Sequence, residues 1–216
     1  MTDADLREEL VRAARAVKQR GLSHGTTGNV SVRAGDSIII TPTACDLATV
    51  RPEELAAVSL DGEPLTDAVP SKEAYLHAAV FRNRPEASAI VHTHSLHATA
   101  VACLAELDVQ DALPALTAYY AMKVEALPVI DYCAPGDRRL ADLAGSAARR
   151  HATVLLRNHG PVIASPSVAT AVDVAEEIEQ TAKLFLLLQG RPSAPLDDVE
   201  RRRLFEATTA RERKTR

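Results

Sequence analysis

The stretch Ile90-Val91-His92-Thr93-His94 places two histidines at the end of an apolar run that begins at residue 87. The run predicts a buried β-strand, and side chains two positions apart in a strand point to the same face. Both imidazole rings can therefore reach one point beyond the strand. Histidine is a common ligand of divalent transition metals, so the pair is a candidate for half of a metal site. A His-x-His pair alone is weak support, because such pairs also occur on surface strands.

The composition predicts a single soluble domain. The 216 residues are 46% hydrophobic and carry a formal net charge of −4. This length suits one domain, placed at residues 1–216 with a C-terminal helix and tail from about residue 200. A nucleic-acid surface needs a concentrated basic face, and a membrane span needs about 20 apolar residues, so neither partner is expected. The basic C-terminal residues are expected on a solvated helix and frayed tail.

The cysteines and the N-terminus predict a cytoplasmic location. Cys45, Cys103 and Cys133 are odd in number and far apart, which is typical of free thiols in a reducing compartment. The acidic start of the chain lacks the basic region and apolar core of a signal peptide.

Hydrophobic periodicity favours an α/β domain with a central mixed or mostly antiparallel sheet flanked by helices. Helical spacing is found in residues 3–20, 69–83, 96–106, 135–150, 167–189 and 196–211. Strand patterns are found in residues 30–33, 37–41, 57–60, 87–94, 124–130, 153–157 and 162–164. Hairpin signals such as Asp61-Gly62 join several strands, and the regular βαβα order of a doubly wound fold is missing. Residues 107–123 are expected to be irregular.

A loop at residues 21–29 holds three glycines among small polar side chains. Such a loop can turn its backbone N–H groups toward an anion, although a tight turn between helix and strand explains it equally well. Thr41-Pro42-Thr43 presents two more hydroxyl groups in a rigid loop. His24, within the glycine-rich loop, is a candidate substrate contact.

Two further residues complete a candidate metal site. His159 follows a predicted strand at a turn, and Glu73 begins a helix before the strand that leads to His92. Three histidines and a carboxylate suit a catalytic divalent metal that keeps a position open for substrate. The helix start alone also explains Glu73, with Ser71 as its N-cap. His77, one turn after Glu73, is a rival ligand, whereas the other histidines, His97 and His151, are expected in the core or on the surface.

Five motifs together resemble the class II aldolase/adducin family over nearly the whole chain. They lie at residues 25–31, 41–43, 70–73, 92–95 and 158–160. The resemblance implies a homotetramer with active sites between subunits. It also implies Zn²⁺, or another divalent first-row metal such as Mn²⁺ or Co²⁺, held by His92, His94 and His159. Glu73 would be the acid/base residue and would also touch the metal when substrate is absent.

Residues 113–122, 155–162 and 176–183 resemble one branch of the family, the 3-oxo-tetronate 4-phosphate decarboxylases. The implied function is metal-dependent decarboxylation of this small phosphorylated sugar acid to dihydroxyacetone phosphate and CO₂ through a metal-stabilised enediolate. Glu73 would protonate C2, provided that an apolar setting raises its pKa or the metal manages its charge.

The resemblance also implies a phosphate site, and the mechanism leaves room for a second acid. The phosphate site would consist of Gly28, Asn29, Thr43 and Ser71. Lys72 pairs with the phosphate or, less easily, with the substrate carboxylate, or it is a solvated lysine at a helix start. Tyr119, or its neighbour Tyr120, is a candidate second acid that acts across a subunit boundary.

Three departures from the fuculose-phosphate aldolase branch argue against that substrate. Ala44 stands where that branch has Gly, Lys72 stands where it has Ser, and no Tyr follows Tyr132. The alternatives kept open are a class II aldolase of the fuculose-1-phosphate type, a pentulose-phosphate 4-epimerase, and a non-catalytic adducin-like module. The metal-ligand set favours an enzyme over the module.

Overall fold

One β-sheet organises residues 2–214, the part of the chain that the structure, a computed structural model, describes, with side chains through Arg211. Its seven strands are β1 (Asn29–Ala34), β2 (Ser37–Ile40), β3 (Ala56–Ser59), β4 (Ala89–His92), β5 (Val129–Ile130), β6 (Thr153–Leu156) and β7 (Gly160–Ser165). Their order across the sheet is β3-β2-β1-β4-β7-β6-β5. Every neighbouring pair is antiparallel except β5 with β6. The predicted mixed, mostly antiparallel sheet is confirmed.

Helices cover both faces of the sheet. Within the described residues they are α1 (Asp3–Gln19), α2 (Ala74–Asn83), α3 (Leu96–Ala102), α4 (Ala118–Lys123), α5 (Arg138–Ala148), α6 (Val168–Leu187) and α7 (Asp198–Lys214). The predicted C-terminal helix is therefore present, while the last two residues of the predicted tail, 215–216, lie outside the described part. None of the helices in residues 2–214 is long and apolar enough to span a bilayer.

The sheet has a hydrophobic core on each face, and β4 contributes to both. Val91 packs in the core beneath α1, α3 and α6, whereas Ile90 packs in the core beneath α2 and α5. Because side chains alternate along a strand, His92 shares the α2 face with Ile90. Asn29 lies opposite His92 in the β1–β4 pairing and brings a second polar side chain to this end of the sheet.

Several local predictions were wrong. The predicted helix 69–83 starts at Ala74 with Glu73 at the N-cap, because the segment before it is tied to the 41–43 loop. Ser71 is thus not the cap, and its hydroxyl instead accepts from the Glu73 N–H. Only Val129–Ile130 of the predicted strand 124–130 is extended. The segment 107–123 contains α4, whose N-cap Thr117 accepts from the Tyr120 N–H.

Candidate metal centre

Four side chains meet where β4 ends, and they come from three separate segments. His92 Nε2 lies 3.0 Å from His94 Nε2 and 3.3 Å from His159 Nε2. Glu73 Oε2 lies 3.3 Å from His92 Nε2, and Glu73 Oε1 lies 3.3 Å from His159 Nε2. One ligand atom from each residue falls within 4.8 Å of the others. The structure therefore brings together the four residues that the sequence put forward as a metal site.

The cluster fits a divalent cation in geometry and chemistry. A tetrahedral site with metal–ligand distances of about 2.0–2.1 Å separates its ligand atoms by about 3.3 Å, which is close to the four separations of 3.0–3.3 Å given above. Glu73 Oε1 is buried without a hydrogen-bond partner in the described part of the chain. Since a carbonyl only accepts, His92 donates Nδ1–H to Pro161 O over 2.9 Å, which turns the Nε2 lone pair toward the cluster.

Burial keeps the histidines in the form that binds metals. Burial and the neighbouring His92 lower the pKa of His94 to about 3 and that of His159 to about 4. Both rings are therefore neutral near pH 7, as metal ligands must be.

Glu73 is a carboxylate rather than a carboxylic acid. Burial on its own would raise its pKa, but His92, His159 and the amide of Asn29 outweigh that effect and hold the pKa below its usual value. Of the two conditions set for Glu73 as proton donor, a pKa raised by an apolar setting is therefore not met, and control of its charge by the metal stays a prediction.

A tight turn places His159. Asn158 has a φ of +56°, a conformation that Asn tolerates better than most residues. A Cβ on Gly160 would lie 2.1 Å from Thr93 O, so only glycine fits between the turn and the end of β4. Helix α3 supports the turn, because Thr99 donates to the carbonyl of His159 over 3.0 Å.

The rival ligand His77 lies outside the cluster. Its ring is fully buried on α2, and its two nitrogens are hydrogen-bonded to Ser31 and Asn29. His24 is exposed in the glycine-rich loop, close enough to His94 for its charge to affect the pKa of that ring. His151, for which a core or surface role was expected, lies in a surface cleft of about 800 Å³ beneath α7.

Some of the residues predicted to bind phosphate lie close to Glu73. Ser71 is buried beside it. Two backbone hydrogen bonds join the 69–71 segment to the 41–43 loop: Ser71 N–H donates to Thr41 O, and Thr43 N–H donates to Val69 O. A Cβ on Gly28 (φ +78°) would lie 3.0 Å from His92 O, because the loop passes close to the end of β4. Lys72 is exposed.

Asn29, Tyr119 and Tyr120 do not have the positions expected of simple substrate contacts. The side-chain amide of Asn29 donates to Glu73 and accepts from His77, so its principal contacts are internal. Tyr119 is 68% exposed on α4 and makes no hydrogen bond to the cluster within residues 2–211. Tyr120 is buried in the core, with the Arg201 guanidinium 5.7 Å from its ring centroid, which leaves Tyr119 as the candidate second acid.

Glu179 is a supporting residue that the sequence did not reveal. Its carboxylate, on α6, accepts from the backbone N–H groups of His97 (3.0 Å) and Ala98 (2.9 Å) and from the His97 ring (2.6 Å). It thus caps α3, the helix that directly follows His94. The only local signal was an acidic residue on the apolar face of a long helix, and its partners lie more than 80 residues away.

Comparison with known proteins identifies the family. The model of the class II aldolase and adducin N-terminal domain matches residues 8–186. The chain belongs to the class II aldolase and adducin family. Among its class II aldolase relatives, a 3-oxo-tetronate 4-phosphate decarboxylase of Pectobacterium atrosepticum is 42% identical over 86% of this chain and 85% of the relative. An L-fuculose phosphate aldolase of Haemophilus influenzae is 30% identical over 87% and 85%.

The fold of this class II aldolase family member agrees with that placement. The crystal structure of a Klebsiella pneumoniae protein described as an aldolase, epimerase or decarboxylase superposes with a TM-score of 0.90. The two chains are 37% identical, and the match covers 94% of this chain and 99% of the other.

Proposed function

We propose that this chain is a metal-dependent carboxy-lyase that converts 3-oxo-tetronate 4-phosphate into dihydroxyacetone phosphate and CO₂. The observation that carries the proposal is the buried cluster of three histidines and one ionised carboxylate at the end of β4. The choice of substrate is supported by the greater identity to a decarboxylase, 42%, than to an L-fuculose phosphate aldolase, 30%.

His92, His94 and His159 are proposed to hold the metal, with Zn²⁺ as the leading candidate and Mn²⁺ or Co²⁺ as alternatives. When bound, a divalent ion would supply Lewis-acid stabilisation of the negative charge that develops on the C3 oxygen of the substrate. The chain prepares for this by burying the rings of His94 and His159 in their neutral form and by fixing the His92 lone pair through Pro161 O.

Glu73 is proposed to move a proton at C2. Because its carboxylate is ionised, it first accepts the proton of the C2 hydroxyl. Cleavage of the C1–C2 bond then releases CO₂ and leaves the electron pair delocalised between C2 and the C3 oxygen. Glu73 returns its proton to the C2 carbon, and solvent supplies the proton that the product hydroxyl requires.

The phosphate is proposed to bind beside Glu73, at Gly28, Thr43, Ser71 and Lys72, with Asn29 contributing from its position next to Gly28. Ser71 accepts from the Glu73 N–H, so its own O–H is free to donate to a phosphate oxygen. Binding energy from this remote group helps to hold C2 and C3 in position for the reaction.

The assembly is proposed to be a homotetramer with active sites between subunits. Two exposed side chains support subunit contacts: Leu96, two residues after His94, is 72% exposed, and Tyr119, on α4, is 68% exposed. Tyr119 would then act as the second acid in a neighbouring site. Light scattering of the purified protein measures the subunit number.

A cytoplasmic location remains a prediction, supported by three free cysteines.

The direct test is CO₂ release from 3-oxo-tetronate 4-phosphate before and after removal of the metal by a chelator. We expect activity to vanish on chelation and to return with added Zn²⁺, Mn²⁺ or Co²⁺. Activity that survives complete metal removal would contradict the mechanism. A parallel assay with L-fuculose 1-phosphate should release no aldehyde, and rapid aldehyde release would instead favour the aldolase alternative.

A further inference from the structure

A series of buried hydrogen bonds connects Glu73 to the centre of the sheet. Asn29 Nδ2 donates to Glu73 Oε2 over 2.7 Å, and Asn29 Oδ1 lies 2.6 Å from His77 Nε2. The other ring nitrogen, His77 Nδ1, lies 2.6 Å from Ser31 Oγ. Ser31 and His77 are both 0% exposed. We name the three residues Ser31, His77 and Asn29 the orienting chain.

The donor and acceptor of each hydrogen bond in the orienting chain can be assigned in order, starting from the contact with Glu73. A carboxylate only accepts, so Asn29 presents its NH₂ group to Glu73 and its oxygen to His77. That oxygen also only accepts, so the ring proton of His77 lies on Nε2. With that proton on Nε2, the other ring nitrogen, Nδ1, pairs with the Ser31 hydroxyl over 2.6 Å.

The orienting chain leaves the two oxygens of Glu73 in different environments. Oε2 is held by Asn29, whereas Oε1 is buried with no hydrogen-bond partner in the described part of the chain. A carboxylate held at one oxygen cannot rotate freely, so the other oxygen keeps a fixed direction. Proton transfer depends strongly on such fixed positioning.

We infer that His77 is a positioning residue for the proposed reaction: through Asn29 it fixes the Glu73 carboxylate so that Oε1 exchanges the proton with substrate. This inference rests on the proposed function. A purely structural role explains the arrangement less well, because apolar side chains would join α2 to β1 without desolvating a histidine, a serine and an amide.

The test compares two replacements of His77. Leu removes every polar atom, whereas Gln keeps an N–H that reaches Asn29. We expect His77→Leu to lower kcat roughly 10–100-fold with KM changed less than about threefold, the usual cost of losing a hydrogen bond that orients a site residue. His77→Gln should recover most of kcat. Val80→Ala, a truncation in the buried face of the same helix, is the control and should lower stability with kcat unchanged.

Three measurements decide the outcome. Metal content must stay at the wild-type level in His77→Leu, and a loss of metal that accounts for the loss of kcat would overturn the inference. An unchanged kcat in His77→Leu, or an equal loss in His77→Gln, would also overturn it. A wild-type enzyme that releases no CO₂ contradicts the proposed function instead, so the two failures are distinguishable.

A final measurement is independent of turnover. In wild-type protein labelled with nitrogen-15 histidine, nuclear magnetic resonance distinguishes the Nε2–H from the Nδ1–H tautomer of His77. We expect the Nε2–H tautomer, and a shift of the Asn29 side-chain amide resonances in His77→Leu. The Nδ1–H tautomer would overturn the inference, because such a ring cannot donate to Asn29.

Discussion

Ala44 carries backbone strain in the proposed phosphate loop. Its φ is +53°, and this left-handed conformation costs a residue with a Cβ roughly 1–2 kcal/mol. We expect Ala44→Gly to raise the free energy of unfolding by about 0.5–1 kcal/mol, since the relief of strain exceeds the added chain entropy. Urea denaturation measures the change.

The control for Ala44 is Ala48→Gly in the same segment. Ala48 is exposed, and its φ is not positive. Glycine there only adds entropy to the unfolded chain and should lower stability by about 0.4–1 kcal/mol. Changes of the same sign at both positions would show that strain at Ala44 is not the cause.

Gly160 is required for steric reasons next to His159. A Cβ at this position would lie 2.1 Å from Thr93 O, and a backbone atom between two ligands cannot easily move aside. We expect Gly160→Ala to destabilise the protein by more than about 3 kcal/mol and to reduce bound metal. Gly35→Ala, at a positive φ with open space around it, should cost only about 1–2 kcal/mol. Similar costs for both variants would contradict the steric argument.

Residue types and local spacing were enough to predict that these four side chains come together. His92 and His94 share a strand face, and His159 and Glu73 stand at element ends, so each was visible in its own segment. The contacts of Asn29 were not visible, because its partners lie 44 and 48 residues away on α2. Sequence resemblance placed Asn29 with the phosphate, whereas its amide binds Glu73 and His77 in the folded chain.

At the scale of elements, the start of α3 depends on a carboxylate from another helix. Glu179 accepts from two backbone N–H groups of α3. Burial alone would raise its pKa, but these bonds and the His97 ring lower it. We expect Glu179→Gln to lower stability near pH 7 by about 1–3 kcal/mol, the usual cost of disturbing a buried charged acceptor.

The pH dependence of this effect has a definite sign. The folded pKa of Glu179 lies below its unfolded value, so its contribution is present above the unfolded pKa and is lost as pH falls through the folded one. The stability difference between wild type and Glu179→Gln should therefore shrink below about pH 4. Glu176→Gln, an exposed partner of Arg20 one turn earlier, should change stability by at most about 1 kcal/mol. A pH-independent difference for Glu179→Gln would contradict its ionised role.

Elements with strong local signals were predicted well, and those set by distant partners were not. The β1–β2 hairpin and α6 follow from alternation and helical spacing. The start of α2 shifted because an isolated bridge between Pro42 and Pro70 holds the preceding segment extended. No sequence pattern within α2 indicates that bridge.

At the scale of the whole molecule, metal binding should stabilise the fold. A ligand that binds only the folded state adds about 2.7 kcal/mol at a free concentration of 100 times its Kd. We expect chelation to lower Tm and Zn²⁺ to restore it, as measured by thermal denaturation. His94→Ala should abolish this response, whereas His151→Ala, outside the cluster, should keep it. A Tm shift that persists in His94→Ala would locate the metal elsewhere.

The class of the sheet was predictable, but its strand order was not. Hairpin signals identify neighbours along the chain, such as β1 with β2. The central pairing of β4 with β7 joins residues at least 70 positions apart and depends on packing against α3 and α6. This pairing also brings Pro161 O to His92, so the geometry of the site depends on the least predictable part of the fold.

The pairing of β4 with β7 sets the order of events when the protein is made. His92 and His159 are separated by 67 residues, and the carbonyl that orients His92 belongs to β7. A nascent chain therefore exposes Glu73, His92 and His94 long before their last partner leaves the ribosome. A metal ion held by all four side chains would therefore bind only after β7 has paired with β4.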